Sequence, residues 1–356
     1  MEKMKAKLMT PYLSDKIKVL SLIAITMVIY IHTYYTEGEG YPIFQAIQRF
    51  IGGTGLSSIA NPLFYLTSGY LFFMRVQNVK ECFPRIKKRF KTLVIPYFLA
   101  NSIAFLMYAA LDGISRLSPS LYGVINFHIL DWFDLDTITI LKNVYWGPVA
   151  FQLWFVRDMM FFVLLSPIVY FILKFCSQHR WSAWSFIVLT LCCSVVTGKL
   201  VLWMAVGGMI AMSDVVDLSR NIHSKATNVL IYMCGLTFIV CGLLQSMGKI
   251  NIKAWYPICG VIAIWLLYDK IVKRKILCTD NKILAIACSY TFFIYLVHEP
   301  VLLIFKKVPL LVSSSEWVLI ISFILTPPIF VMNVICIAVI LRKLILNAMV
   351  WYMGGR

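Results

Sequence analysis

Charged residues are scarce in this sequence. Asp, Glu, Lys and Arg make up 14% of its 356 residues, whereas hydrophobic residues make up 60% and the mean hydropathy is +0.82. A soluble globular domain is about half apolar and a quarter charged. The apolar excess extends along the whole chain, so we interpret residues 1–356 as a single membrane domain and not as a soluble domain with an anchor.

Several other signals are missing. The ten cysteines follow no metal-binding spacing and mostly lie in apolar runs, which is typical of buried thiols, so no metal is expected. Residues 1–18 are polar and basic and lead directly into a full-length apolar run, which argues against a cleavable signal peptide. No glycine-rich phosphate loop and no internal repeat occur, and the lack of a repeat weakens a transporter built from two related halves.

Apolar runs that approach the length of a membrane span occur about ten times. A helix needs about 20 apolar residues to cross the bilayer. The predicted spans are residues 17–35, 51–73, 93–111, 149–173, 183–197, 201–212, 226–244, 256–268, 283–305 and 317–341. The predicted fold is therefore an all-α integral membrane bundle of about ten transmembrane helices, in which the short fifth and sixth spans form a tight hairpin.

The basic residues are distributed unequally between the two sides of this bundle. The segments assigned to the cytoplasm hold 24 Lys and Arg, the opposite side holds 8, and Arg157 lies within a span. By the positive-inside rule, this bias predicts that both termini lie in the cytoplasm of a multi-pass protein of the cell (cytoplasmic or inner) membrane. The net charge of +17 then reflects topology, and no nucleic-acid partner is expected.

Five ionisable residues inside the predicted spans are the candidates for chemistry: His32, Arg157, Asp158, His298 and Glu299. A charged side chain at the bilayer centre costs about 2.5–3.5 kcal/mol on insertion scales, so each needs a role or a partner. His32 and His298 lie roughly 21 and 24 Å from the cytoplasmic ends of their spans at the helical rise. The two histidines either face one cavity or each bond a carbonyl at the interface.

Arg157 and Asp158 are neighbours in sequence and point to different faces of a helix. We therefore expect each to pair with a partner on another helix, either as contacts between helices or as part of a site.

Two loops have unusual composition. Residues 75–91 hold seven basic residues, among them Arg85, Lys88, Arg89 and Lys91, which mark either a strong topology signal or a site for a phosphorylated ligand. The long loop 112–148 carries acidic and aromatic residues and is predicted to form a lid or an interfacial helix.

Four segments, taken together, resemble acyltransferase family 3, a family of integral membrane acyltransferases. Asp15 leads through an apolar helix to His32. Residues 61–71 (NPLFYLTSGYL) precede the basic loop and Pro96-Tyr97. Residues 153–158 (LWFVRD) are followed by Ser166-Pro167, and residues 290–300 read YTFFIYLVHEP. The match covers essentially the whole chain.

The resemblance implies transfer of an acyl group, usually acetyl, from cytoplasmic acyl-CoA to a hydroxyl group. The acceptor would be a cell-surface polysaccharide or its lipid-linked precursor, and acetyl-CoA would be the cofactor. His32 matches the family's essential first-helix histidine. The basic loop falls where the family has an Arg-x-x-Arg cluster associated with CoA, but Thr92 stands three positions after Arg89. The second basic partner is therefore Lys88, Lys91 or Arg85.

The chemistry of the residues agrees with the resemblance and gives the candidates expected roles. His32 would take the hydroxyl proton, Arg157 would stabilise the developing oxyanion, and Asp158 or Glu299 would orient a histidine. Trp154, His298, Glu299 and Ser68 are expected at the substrate, although Ser68 is also a small packing residue beside Gly69. Two other functions stay open: a transporter of a small anion or glycan, and a non-catalytic partner in a glycan assembly complex.

Overall fold

The computed structural model describes residues 9–35, 40–117, 136–213, 215–216, 224–249, 255–272, 277–311, 313 and 315–353, and every regular element within these ranges is helical. The α-helices in chain order are α1 (Pro11–His32), α2 (Pro42–Gly52), α3 (Ala60–Phe73), α4 (Cys82–Arg89), α5 (Ile95–Leu117), α6 (Thr137–Leu141), α7 (Trp154–Leu164), α8 (Ser166–Cys176), α9 (Arg180–Thr197), α10 (Trp203–Met212), α11 (Lys225–Ser246), α12 (Tyr256–Ile271), α13 (Lys282–Ser289), α14 (Thr291–Phe305), α15 (Glu316–Leu344) and α16 (Leu346–Tyr352).

The first helix is the centre of the bundle. Thr10 caps α1 by accepting a hydrogen bond from the Leu13 amide, and Pro11 occupies the first turn, where its missing N–H costs nothing. At 22 residues the helix is about 33 Å long. It packs against α2, α3, α13, α14 and α15, so its last residue, His32, lies among several helices.

Two glycines bring α3 and α10 into close contact. A Cβ atom at Gly69 would overlap the carbonyl of Met204, and one at Gly207 would overlap the carbonyl of Leu66. Small residues allow helix backbones to approach in this way within membranes. All ten residues of α10 are buried, and at about 15 Å the helix is too short to cross the bilayer. The second half of the predicted hairpin is therefore not confirmed as a membrane span.

The described helices account for fewer complete spans than the ten predicted. Within the described residues, four helices or continuous helical segments are long and apolar enough to cross a membrane: 79–111, α9, α11 and α15. Two bent pairs, Thr137–Trp146 with Phe151–Leu164 and Lys282–Ser289 with Thr291–Glu299, bring the number to six if each counts as one span. The ten-helix count is not confirmed, and the orientation stays a prediction.

Breaks in predicted spans explain part of this difference. The predicted span 51–73 begins in α2, passes through a 3-10 turn at Leu56–Ile59 and continues as α3. The predicted span 149–173 divides into α7 and α8 at Ser166-Pro167, where proline begins a new helix. The apolar run is continuous at both places, so composition alone does not reveal the break.

A buried ion pair joins the first helix to α12. Lys16 Nζ lies 2.7 Å from Asp269 Oδ1, with both side chains almost completely buried, and 4.1 Å above the ring of Trp265. Tyr12 donates a further hydrogen bond to Asp269 at 2.6 Å. The adjacent Asp15 accepts hydrogen bonds from the Cys278 and Thr279 amides, so it holds the turn before α13.

The predicted lid or interfacial helix in loop 112–148 is described only at its ends. α5 continues to Leu117, and α6 leads into a π-helical turn at Lys142–Trp146. Residues 118–135, which include the acidic and aromatic cluster, lie outside the described residues.

Candidate active site

The two histidines predicted to share one level are in contact. The ring centroids of His32 and His298 lie 5.0 Å apart, and the His32 ring also packs edge-on against Phe151 at 4.8 Å. His298 is fully buried and His32 is half-buried. The depth argument from sequence therefore agrees with the geometry, while the roles of both residues stay predictions.

A hydrogen bond fixes the ring orientation of His298. Its Nδ1 lies 2.8 Å from the carbonyl oxygen of Tyr295, which only accepts hydrogen bonds, so Nδ1 carries the proton of the neutral ring. Nε2 is then the unprotonated nitrogen, and it has no hydrogen-bond partner among the described residues. His298 thus presents a basic lone pair inside the bundle.

The helix that carries His298 is broken at the next residue. Glu299 has φ −106° and ψ 133°, an extended conformation inside α14. Steric conflict with the following Pro300 disfavours helical geometry at this position. The freed carbonyl of Glu299 accepts a hydrogen bond from Gln152 Nε2 at 3.2 Å, and Tyr295 donates to the Gln152 carbonyl at 2.6 Å. Gln152 therefore holds the broken helix against the segment before α7.

Unpartnered polar atoms concentrate at this break. Among the described residues, five buried side-chain polar atoms lack a hydrogen-bond partner, and three of them are Gln152 Oε1, His298 Nε2 and Glu299 Oε2. Because Gln152 Nε2 faces a carbonyl, its Oε1 is necessarily the acceptor end. Buried polar atoms without partners are costly in a protein interior, so the three together make this break a candidate functional site.

Arg157 and Asp158 do not have the arrangement expected from the sequence. Arg157 Nη2 lies 3.2 Å from Oδ1 of its neighbour Asp158, and Nη1 donates to the Trp146 carbonyl at 2.7 Å. The expectation that each would pair with another helix was wrong for Asp158, because the long Arg157 side chain folds back onto it at the start of α7. Neither Asp158 nor Glu299 hydrogen-bonds a histidine within the described ranges.

A series of aromatic rings connects the histidine pair to this ion pair. His298 contacts Tyr295 at 5.9 Å, Tyr295 contacts Phe155 at 5.9 Å, and Phe155 contacts Tyr65 at 4.2 Å between centroids. Asp158 interacts electrostatically with the hydroxyl groups of Tyr65 and Tyr295. Arg157 and Asp158 therefore belong to the same interior region as the histidines.

The basic residues of loop 75–91 form the short helix α4. Arg85 and Arg89 are half-buried and lie one turn apart on the same face, whereas Lys88 and Lys91 are exposed. A π-helical turn at Phe90–Val94 connects α4 to α5, because Pro96 cannot donate to the carbonyl four residues earlier. Arg85 is thus the half-buried basic residue that shares a face with Arg89.

The basic helix and the histidine pair lie at different heights in the bundle, as measured along the helical segment that contains α4 and α5. Asn101 accepts a hydrogen bond from the Ala150 amide, next to Phe151, and so marks the histidine level. Arg89 precedes Asn101 by 12 residues in the same helical segment, about 18 Å of rise. The half-buried arginines and the imidazoles are thus separated by more than half of the bilayer core.

Ser68 and Trp154 have few polar contacts in the structure. Ser68 is half-buried in α3 beside the close approach at Gly69 and makes no hydrogen bond to a described residue. Trp154 begins α7, two residues after Gln152, and its ring packs against Phe155. Neither position contradicts the expected role at the substrate, and both roles stay predictions.

Two further residues at the site were not identified from the sequence. Gln152 is a buried amide within an apolar run. Burying an amide costs free energy unless it is hydrogen-bonded, and this could have identified Gln152 from the sequence. Lys306 acts electrostatically on both His32 and Glu299 and donates to the Tyr34 carbonyl at 3.0 Å. It was counted only as a loop charge. No group of three or more His, Cys, Asp or Glu side chains in the described part of the chain could hold a metal ion.

The fold and the site together define a multi-pass membrane protein with two histidine rings in contact inside the bundle and a basic helix that continues into α5. The model of the acyltransferase domain family matches residues 15–342, so the chain belongs to acyltransferase family 3 and is related to acyl-transferring enzymes. It is 21% identical over 305 residues to the succinoglycan biosynthesis protein ExoH of Rhizobium meliloti strain 1021, covering 82% of this chain and 79% of the relative. No solved structure matches.

Proposed function

We propose that this protein is a membrane O-acyltransferase that uses cytoplasmic acyl-CoA, with acetyl as the acyl group. The acceptor is a hydroxyl of a cell-surface polysaccharide or of its lipid-linked precursor. Family membership supports acyl transfer, and the name of the distant relative supports a polysaccharide acceptor. The observation that carries the proposal is the order along α4 and α5, where basic residues precede the histidine level by about 18 Å.

The basic helix is the proposed site for the CoA phosphates. Arg85 and Arg89 share one face of α4, and guanidinium groups bind phosphate oxygens in a bidentate manner. The exposed Lys88 and Lys91 add positive charge nearby. In this proposal Arg85 is the second basic partner of Arg89. The extended pantetheine arm would follow the interior from α4 toward the histidines.

The proposed reaction needs one base and one stabilising cation. His32 removes the proton from the acceptor hydroxyl while the hydroxyl oxygen attacks the thioester carbonyl carbon. Arg157 stabilises the negative charge on the carbonyl oxygen. The carbon–sulfur bond then breaks, and the proton held by His32 passes to the leaving thiolate, which restores the neutral imidazole and releases CoA.

The other residues of the site have supporting roles in this proposal. His298, Glu299, Trp154 and Ser68 contact the acceptor, and Asp158 keeps the Arg157 guanidinium in place through the ion pair at 3.2 Å. Gln152 holds the broken helix so that His298 stays against His32.

Two measurements test the proposal. Mass spectrometry should find O-acyl groups on the surface polysaccharide of cells that contain the protein and not on that of cells that lack it. Membrane vesicles that contain the protein should release free CoA from acetyl-CoA only when the acceptor glycan is present. Identical glycans with and without the protein, together with no acceptor-dependent release of CoA, would contradict it.

A further inference from the structure

A cavity of about 350 Å³ lies beside the histidine pair. Tyr108, Asn143, Gly147, Phe151 and Leu303 are among its lining residues. Phe151 belongs to both regions, because it lines the cavity and its ring contacts His32. Phe151 therefore connects the wall of the cavity to the histidine pair.

The cavity lies beyond the histidine level when α5 is followed from the basic helix. Arg89, Asn101 and Tyr108 follow one another in this segment, and Tyr108 is seven residues, or about 10 Å, past Asn101. Leu303 likewise follows His298 on α14. A donor that enters from α4 and a molecule in the cavity would thus approach the imidazoles from opposite directions.

The chemistry of the walls fits a sugar ring. Tyr108 and Phe151 supply aromatic surfaces, Asn143 supplies an amide, and Glu299 is close enough to Tyr108 to interact electrostatically with its hydroxyl. The Asn143 amide can both donate hydrogen bonds to and accept them from the hydroxyl groups of a polyol. The volume lies at the small end of the ~300–1,000 Å³ typical of ligand pockets, enough for a small ligand.

We propose that this cavity is the acceptor subsite and that it binds a single pyranose ring of the glycan, placing one ring hydroxyl beside His32. The inference rests on the proposed function and adds the position and size of the acceptor site. It predicts that the enzyme acylates one sugar at a time at an accessible residue of the glycan, and that filling the cavity blocks the acceptor without disturbing the donor.

Gly147 and Asn143 are the positions from which to fill the cavity. A Cβ atom at Gly147 would meet no atom within 4 Å, so Gly147→Trp adds volume without a backbone clash. Asn143→Trp places a larger side chain at a second lining residue. Gly113 on α5 is the matched control, because its Cβ position is equally open and it does not line the cavity.

The experiment compares two measurements on each full-length variant. O-acyl content of the surface polysaccharide is measured by mass spectrometry in cells, and CoA affinity is measured by calorimetry on protein purified in lipid nanodiscs. We expect Gly147→Trp and Asn143→Trp to lower O-acyl content at least tenfold while the Kd for CoA changes less than twofold. Gly113→Trp should leave both unchanged.

Two results would overturn the assignment. Wild-type acyl content in both cavity variants would show that the acceptor binds elsewhere. Loss of CoA binding in both would show that residues 143–147 maintain the fold and do not form a separate subsite. Failure of the proposed function is distinct, because the wild-type protein would then add no acyl group and release no CoA.

Discussion

The imidazole rings of His32 and His298 lie 5.0 Å apart but make different contacts. His298 is committed through Nδ1 to the Tyr295 carbonyl, whereas His32 packs against Phe151 at the wall of the cavity. The ring next to the proposed acceptor is therefore that of His32. We predict that His32→Ala lowers the transfer rate by ~10²–10⁴-fold, the effect of losing a general base, with acyl-CoA binding near normal. Single-turnover transfer by the purified variant measures this.

His298→Ala is the matched comparison for that variant. Both substitutions make a membrane helix more apolar, so both proteins should insert normally. If His298 only positions the acceptor, its loss should raise the apparent KM for the acceptor more than it lowers kcat. The opposite pattern, with a near-normal His32→Ala and an inactive His298→Ala, would assign the base to the free Nε2 of His298.

The residues at this site show what a sequence reveals at the smallest scale. The cost of ionisable groups in a membrane identified His32, His298 and Glu299 before any geometry was known. The same reasoning failed for Arg157 and Asp158, because a long side chain can fold back onto its neighbour at a helix start. Gln152 was missed because its role depends on a carbonyl 147 residues away, freed by a helix break.

At the scale of one element, α4 carries the proposed donor site. We predict that neutralising Arg85, Lys88 and Arg89 together to Gln raises the KM for acyl-CoA more than it lowers kcat, because ground-state binding is lost. The salt dependence of CoA binding should also weaken, since fewer charges contact the phosphates. Titration calorimetry at several ionic strengths measures both the affinity and its salt dependence.

A control variant that loses the same number of positive charges distinguishes a role of α4 in CoA binding from a role in membrane topology. Lys174, Arg180 and Lys282 lie in other segments assigned to the cytoplasm, and their replacement by Gln removes three positive charges away from α4. That control should bind CoA like the wild type. Unchanged affinity in the α4 variant would leave the basic helix with a role in topology alone.

The crossing of α3 and α10 gives a prediction about stability. Gly69→Ala introduces a Cβ atom that overlaps the Met204 carbonyl, so the two helices must separate. Overpacking of this kind typically costs ~1–3 kcal/mol, and we expect a lower thermal unfolding temperature in detergent. Gly113→Ala, whose Cβ meets nothing within 4 Å, should not lower it. Equal stability of the two variants would show that the contact is looser than it appears.

Apolar runs predicted where most helices lie, because burial in lipid and burial in protein select the same residue types. For the same reason, apolar runs do not distinguish a helix surrounded by lipid from a helix surrounded by protein. The sequence of α10 resembles a membrane span, yet the helix is enclosed by protein on all sides. The breaks at Ser166-Pro167 and Glu299-Pro300 depend on proline, whose effect inside a membrane helix depends on which neighbours satisfy the freed carbonyl.

At the scale of the whole molecule, the unequal distribution of basic residues predicts the orientation. In a cysteine-free background, Asp134→Cys should react with a membrane-impermeant maleimide in intact cells. Lys80→Cys should react only after permeabilisation, because its loop belongs to the cytoplasmic set. A cytoplasmic-face control at Lys174→Cys should behave like Lys80→Cys. Labelling of the position 80 probe in intact cells would show that the orientation is the opposite one. The proposed CoA site would then lie outside the cell, away from cytoplasmic acyl-CoA.

The buried pair of Lys16 and Asp269 has a consequence for how the protein is made. Its members are 253 residues apart, and ribosomes add about 5–20 residues per second, so Lys16 is synthesised roughly 13–50 s before its partner exists. Leaving one member of a buried ion pair without its partner is strongly destabilising, typically by ~3–5 kcal/mol. We therefore expect the contact between α1 and α12 to form only after residue 269 has been made, and truncated chains that end before it to be degraded faster than the full-length protein.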